Sequence, residues 1–165
     1  MCGIVAVIGK DKAYKDVLEG LKRLEYRGYD SSGIAYISEM KLNHIKSVGK
    51  LSNLITKIDN LDLSNINNSN IAVGHTRWAT HGKVDLNNAH PMISNNKIAV
   101  VHNGIIENYK DLKKDLLSKG YLFDSLTDTE VIPHLFDKFL NAGQTFFEAG
   151  QSTLNVIDGA FAFAA

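Results

Sequence analysis

Three observations predict an α+β protein of single-domain size. The chain has 165 residues, enough to close a real core. It carries short apolar runs of strand length at 3–9 (GIVAVIG), 71–77 (IAVGHTR), 98–102 (IAVVH) and 159–165 (GAFAFAA). Between them lie longer segments whose apolar residues recur at helical spacing.

The run at 3–9 is almost wholly apolar and ends in glycine, which predicts a strand buried on both faces with Cys2 fixed at its start. Asp11 to Glu25 places Val17, Leu18, Leu21 and Leu24 on one helical face. Gly33–Met40 and Leu42–Val48 predict two tightly joined strands, and Lys50–Ile58 a helix. Residues 59–70, rich in Asn, Asp and Ser, have the composition of a surface connection. The strand from Ile71 leads into a loop, and the strand Ile98–His102 is expected to stop at Asn103-Gly104, so both polar motifs would sit where strands end. Tyr109, Leu112, Leu116 and Leu117 make 108–117 amphipathic with Asn108 as its cap. Val131, Ile132, Leu135, Phe136, Phe139 and Leu140 define the next helix, with Pro133 confined to its first turn. A third helix is expected over about Thr145 to Val156. The closing segment 159–165 reads as a core strand; a domain rarely stops on such a strand without a polar tail, which predicts a C-terminal truncation.

Composition narrows the function classes. Lys plus Arg and Asp plus Glu both number 18, so the formal net charge is zero and no electrostatic footprint for nucleic acid or an anionic membrane is present. One cysteine allows no internal disulfide and no Cys-based zinc cluster. The N-terminus lacks a signal peptide's apolar region, and no segment approaches the ~20 apolar residues needed to span a bilayer. A cytoplasmic protein is expected.

That single cysteine is residue 2, behind the initiator methionine and ahead of Gly3-Ile4-Val5. Methionine is normally clipped before a small residue, so the mature chain is expected to begin with Cys2. A free α-amine titrates near ~7.7–8.0 and a free thiol near ~8.5. A chain-terminal cysteine therefore carries a base able to take its own thiol's proton, directly or through one water. The competing reading is a small buried hydrophobe.

Three polar clusters bear on the choice. Tyr26-Arg27-Gly28-Tyr29-Asp30-Ser31-Ser32-Gly33 is a polar turn that, alone, reads as an ordinary helix-to-strand loop. Gly74-His75-Thr76-Arg77-Trp78-Ala79-Thr80-His81-Gly82 packs an arginine, an aromatic plane, hydroxyls and two histidines into nine residues. An arginine fork suits a carboxylate and the indole can wall a small pocket, against the plainer reading of a surface ion pair and a core tryptophan. His102-Asn103-Gly104 offers an amide side chain beside a glycine N–H, two donors able to converge on one negative oxygen, although Asn-Gly is also a common turn. His75, His81, His90 and His102 lack metal-ligand spacing, so no metal is expected. Asp128, at a helix start, is most simply an N-cap and functionally a partner for a cationic amine.

Together, CGIV, YRGYDSSG, GHTRWATHG, AHP, HNGIIEN and TDTEV, in that order from Cys2 onward, resemble the glutaminase domain of class II (N-terminal nucleophile) glutamine amidotransferases. The motifs are most similar to the glucosamine-6-phosphate synthase branch, glutamine:fructose-6-phosphate aminotransferase (isomerizing). Amidophosphoribosyltransferases and asparagine synthetases share the cysteine, the Arg-Gly turn and the Asn-Gly pair but differ around YRGYDS and HTRWATHG.

The resemblance implies a four-layer αββα sandwich of the N-terminal nucleophile hydrolase type. It implies Cys2 as nucleophile with its α-amine as base, and Asn103 with Gly104 as oxyanion hole. Arg77, helped by Thr80 and His81, would hold the α-carboxylate of L-glutamine; Asp128 would hold its α-ammonium, and Trp78 would border the pocket and report on closure. Arg27 would orient the N-terminus and His90 support the site. Met92 stands where the family commonly shows a second histidine after the proline, so any role of that histidine is absent. No cofactor is implied. Residues 2–165 would be a glutaminase domain incomplete at its C-terminus, lacking the sugar isomerase domain that binds fructose 6-phosphate, and full-length members would be homo-oligomeric. The rivals are a different ammonia acceptor, as in the amidophosphoribosyltransferase or asparagine synthetase type, and a non-catalytic glutamine-binding fragment.

Overall fold

The computed structural model describes residues 2–61, 66–78 and 83–165. Two antiparallel sheets lie face to face with helices on both outer sides. The first sheet contains β1 (Gly3–Ile8), β2 (Ser31–Ser38), β3 (Lys41–Val48) and β4 (Ile71–Arg77) in the order β1-β4-β2-β3. The second contains β5 (Met92–Ser94), β6 (Ile98–Ile106) and β7 (Gly159–Ala164) in the order β5-β6-β7. Helices α1 (Ala13–Leu24) and α2 (Leu51–Asp59) cover the first sheet, where Val17, Leu21, Leu51 and Leu54 pack with Ile34, Tyr36 and Ala72. Helices α3 (Tyr109–Ser118), α4 (Val131–Asn141) and α5 (Phe146–Leu154) cover the second, where Leu116, Ile132, Leu135 and Ala149 pack with Ile98 and Val100. A third apolar layer joins the sheets through Ala35, Val73, Ala99 and Val101. This is the expected αββα order, and each fully buried leucine contributes about 1.5–3 kcal/mol through the area it removes from water.

Helical spacing located α1, α2, α4 and α5 to within about two residues, because each has a well-defined apolar face. Pro133 falls in the first turn of α4, where its missing N–H costs no helical bond. Thr145 caps α5 in a reciprocal box with Glu148: its hydroxyl accepts the Glu148 N–H, and the carboxylate accepts the Thr145 N–H.

The structure corrects six expectations. β1 is an edge strand, not one buried on both faces: Val5 and Val7 pack on the helical side and Ile4 on the inner side, but Ile8 is exposed. β6 does not stop at Asn103-Gly104; it runs on to Ile106 because Asn103 pairs with Ala162 and Gly104 with Phe161 of β7. β7 occupies an edge of its sheet among the described residues, with Phe161 and Phe163 half-buried against the α4 layer. Asn108 makes no capping bond; its side chain instead ties the α5–β7 connection, donating to the Val156 carbonyl and accepting from the Asp158 N–H. Asp128 is not the cap of α4 either, since Glu130 holds that position. The connection 59–70 is not wholly superficial, as Ile66 fills the α1/α2 core.

Candidate active site

The end of β4, the start of β1 and the middle of β6 meet at one rim of the sandwich. β1 pairs with β4 so that Gly3 lies opposite Thr76, which brings Cys2 beside Arg77 and Trp78. The Trp78 backbone N–H donates to Cys2 Sγ at 3.2 Å, holding the sulfur on the chain as it leaves the sheet. Gly28 lies under the indole: at φ 74° it adopts a conformation rare for other residues, and a Cβ there would stand 2.5 Å from Trp78 Cζ3.

β6 supplies the donors. Because the Glu107 N–H bonds Asp158 across the ladder, odd-numbered amides of β6 face β7 and even-numbered ones face away. The His102 N–H accordingly goes to His90 Nδ1 at 3.1 Å, and the Ile106 N–H to Asp128 Oδ2 at 2.7 Å. Gly104 lies between them with its N–H on that same edge, which borders the cleft. Only glycine fits there: its φ is 123° and a Cβ would meet the Ala160 carbonyl oxygen at 2.1 Å. The Asn103 Nδ2 lies 3.5 Å from the Cys2 carbonyl, too long to compete strongly with an oxygen entering the cleft.

Cys2, Arg77, Trp78, Asn103, Gly104 and Asp128 line one cleft of about 470 Å³, with His90 in its wall. Arg77 is 6 % exposed and Asp30 Oδ1 approaches its guanidinium at 3.7 Å, while the Ser31 hydroxyl donates to the same oxygen at 2.9 Å. The YRGYDS turn thus braces the arginine. Asp128 keeps one carboxylate oxygen on the Ile106 N–H, which fixes its position across the cleft. Arg27, on the 3₁₀ turn Glu25–Arg27, is not part of the cleft lining. Thr80 and His81 lie outside the described residues. No three His, Cys, Asp or Glu side chains among the described residues group as a metal site.

Sequence reasoning missed a stack of histidines behind the donors. His75 and His90 lie ring on ring at 4.1 Å, and His90 and His102 are parallel at 6.5 Å. All three are buried. Their partners, Asn103, the His102 N–H and Thr129, lie far along the chain, and no local pattern announces such contacts.

Burial makes these imidazoles poor bases. It pushes His75 down to about 4, partly offset by the Asn103 hydrogen bond and the His102 carbonyl. Burial holds His90 well below the ordinary value, reinforced by the charges of His75 and His102. Burial also lowers His102, against the opposing Asp128 carboxylate, and His134 in α4, against Glu130. The unfolded chain therefore binds more protons than the folded one once pH falls below about 6.5, so stability must fall on acidification. His75 alone contributes up to about 3 kcal/mol of that loss by pH 4. The melting temperature is expected to drop between about pH 7 and pH 5, where histidine rather than carboxylate titrates. A flat profile over that interval would contradict the neutral stack.

The fold and this cleft define the class: residues 75–165 match the glutamine amidotransferase domain model, and the chain belongs to that family. Its relatives include the glutamine–fructose-6-phosphate aminotransferases (isomerizing) of Thermosynechococcus vestitus, 48% identical over 99% of this chain and 26% of that protein, and of Pyrococcus horikoshii, 49% identical over 98% of this chain and 27% of that one. The chain thus spans about a quarter of the length of these relatives. Similar solved structures are the allosteric regulatory enzyme of purine biosynthesis (TM-score 0.80, 29% identity) and the glutamine phosphoribosylpyrophosphate amidotransferase of B. subtilis (TM-score 0.78, 27% identity), each covering 99% of this chain and 34% of the other.

Proposed function

We propose that this domain hydrolyses the side-chain amide of L-glutamine through a thioester on Cys2 and supplies the ammonia for making glucosamine 6-phosphate from fructose 6-phosphate. The observation that carries the reading is the convergence of one thiol, two donors for an oxyanion, a guanidinium and a carboxylate on a single amino-acid-sized cleft.

With Met1 removed, the Cys2 α-amine takes the thiol proton and Sγ attacks the amide carbon. Asn103 Nδ2 and the Gly104 N–H meet the negative charge that develops on the carbonyl oxygen, a role supported by the position of Nδ2 beside Cys2. The ammonium formed at the α-amine returns its proton to the departing nitrogen, releasing ammonia and leaving a γ-glutamyl thioester. The same amine then deprotonates water, whose attack yields glutamate and restores the thiol. Arg77 holds the substrate α-carboxylate and Asp128 its α-ammonium, aligning the amide with Sγ. Thr80 and His81 assist at the carboxylate, Trp78 borders the pocket, Arg27 orients the N-terminus and His90 supports the wall. The sugar phosphate would bind to the part of the protein beyond residues 2–165, in a homo-oligomer, and a single cysteine, which can form no internal disulfide, supports a cytoplasmic setting.

Sequence identity near one half to the glutamine–fructose-6-phosphate aminotransferases, against 29% and 27% to the two solved structures, favours fructose 6-phosphate over phosphoribosyl pyrophosphate as acceptor. The test is ammonia release from L-glutamine, followed by product analysis with each acceptor on the full-length protein. Glutaminase activity with glucosamine 6-phosphate formation supports the reading. Phosphoribosylamine would overturn the acceptor, and tight glutamine binding without turnover would make the domain a binding module. Arg77→Lys is expected to raise the KM for glutamine roughly tenfold or more although charge is kept, because an ammonium cannot reproduce a bidentate fork. An unchanged KM would remove Arg77 from the carboxylate site.

A further inference from the structure

We infer that His75 is a positioning residue for the oxyanion hole: its Nε2–H grips Asn103 Oδ1 and thereby turns the Asn103 Nδ2 donor toward the cleft. The inference rests on the proposed glutaminase reading. Asparagine's two amide ends have nearly the same shape, so only hydrogen-bond partners decide which one faces the substrate. On one side His75 Nε2 lies 2.9 Å from Asn103 Oδ1; on the other Nδ2 faces the Cys2 carbonyl at 3.5 Å. The short contact is the stronger restraint. A flipped amide would present an oxygen to the Cys2 carbonyl and to the developing oxyanion, replacing attraction with repulsion.

The ring is built to hold that one arrangement. His75 is 1 % exposed on β4 and stacked against His90 at 4.1 Å, which restrains the ring. His90 is fixed in turn, because its Nδ1 accepts the His102 N–H and so cannot carry a proton there. An Nδ1–H tautomer would leave Nε2 as an acceptor, which attracts the wrong end of Asn103. β4 and β6 belong to different sheets, and this contact ties the oxyanion donor on one sheet to the strand that carries Arg77 on the other.

The test combines kinetics with a spectroscopic readout. His75→Leu removes the donor at similar volume, and is expected to lower kcat about tenfold with KM for glutamine within about twofold, the usual scale for losing the group that orients a working ligand. His75→Gln returns an amide N–H at similar reach and is expected to recover most of kcat. In an Asn103→Ala background His75→Leu should cost less than about twofold further, since a positioning residue has nothing left to position. Full activity in His75→Leu, or an equal additional loss in the double variant, would overturn the inference. Nitrogen NMR of wild-type protein labelled at histidine reads the tautomer without relying on activity or on any variant folding. A neutral Nε2–H form of His75 supports the inference, and an Nδ1–H form overturns it. If wild type releases no ammonia while His75 carries Nε2–H, the functional reading fails and the orientation of Asn103 stands.

Discussion

Cys2→Ala is expected to reduce ammonia release from glutamine to background while glutamine binding is largely retained. The substitution removes the sulfur held by the Trp78 N–H but leaves Arg77, Asp128 and the two β6 donors in place. Cys2→Ser should behave almost as badly, because a hydroxyl is harder to deprotonate than a thiol and a far weaker nucleophile. A form that keeps Met1 should also be inactive, since its would-be base is locked in a peptide bond. Steady-state ammonia assays with calorimetric glutamine titration check all three. Turnover in Cys2→Ala would remove the thiol from the mechanism, and a fully active form shown by mass analysis to retain Met1 would remove the terminal amine.

Asn103→Ala should lower kcat by about a hundredfold to a thousandfold, with a much smaller change in KM. In the proposed mechanism the side chain meets charge that exists only once the tetrahedral adduct forms, so its loss would fall on the transition state rather than on substrate affinity. The Gly104 N–H remains, which is why residual activity is expected. An unchanged kcat would remove Asn103 Nδ2 from the oxyanion hole.

The contrast between Asn103 and Arg77 also explains how much of the site could be read from the sequence. Arg77, Trp78 and Cys2 were legible because their chemistry is concentrated in short motifs at the ends of strands whose apolar runs are plain. The helices were legible from one-sided apolar spacing, and α5 also from the Thr145 and Glu148 pair. An Asn-Gly pair locally favours a turn, so a strand end is expected at Asn103-Gly104; the place of the pair inside β6 depends on β7, more than fifty residues further along the chain. Asp128 looked like a helix cap for the same reason, and its bond to Ile106 is visible only in three dimensions. The edge position of β1 could not be inferred from an apolar run, since composition does not say how many neighbours a strand will have. The His75, His90 and His102 stack was hidden because its members come from β4, the segment before β5, and β6.

Cys2, presented at the chain terminus, is the proposed nucleophile in this cleft. The most direct test of that role is peptide mapping after treatment with a glutamine analogue bearing a thiol-reactive group in place of the carboxamide. One label per chain is expected, on Cys2, blocked by excess L-glutamine and matched by a proportional loss of ammonia release. Turnover that persists after stoichiometric labelling of Cys2, or inactivation by a label mapped to another residue, would contradict that role.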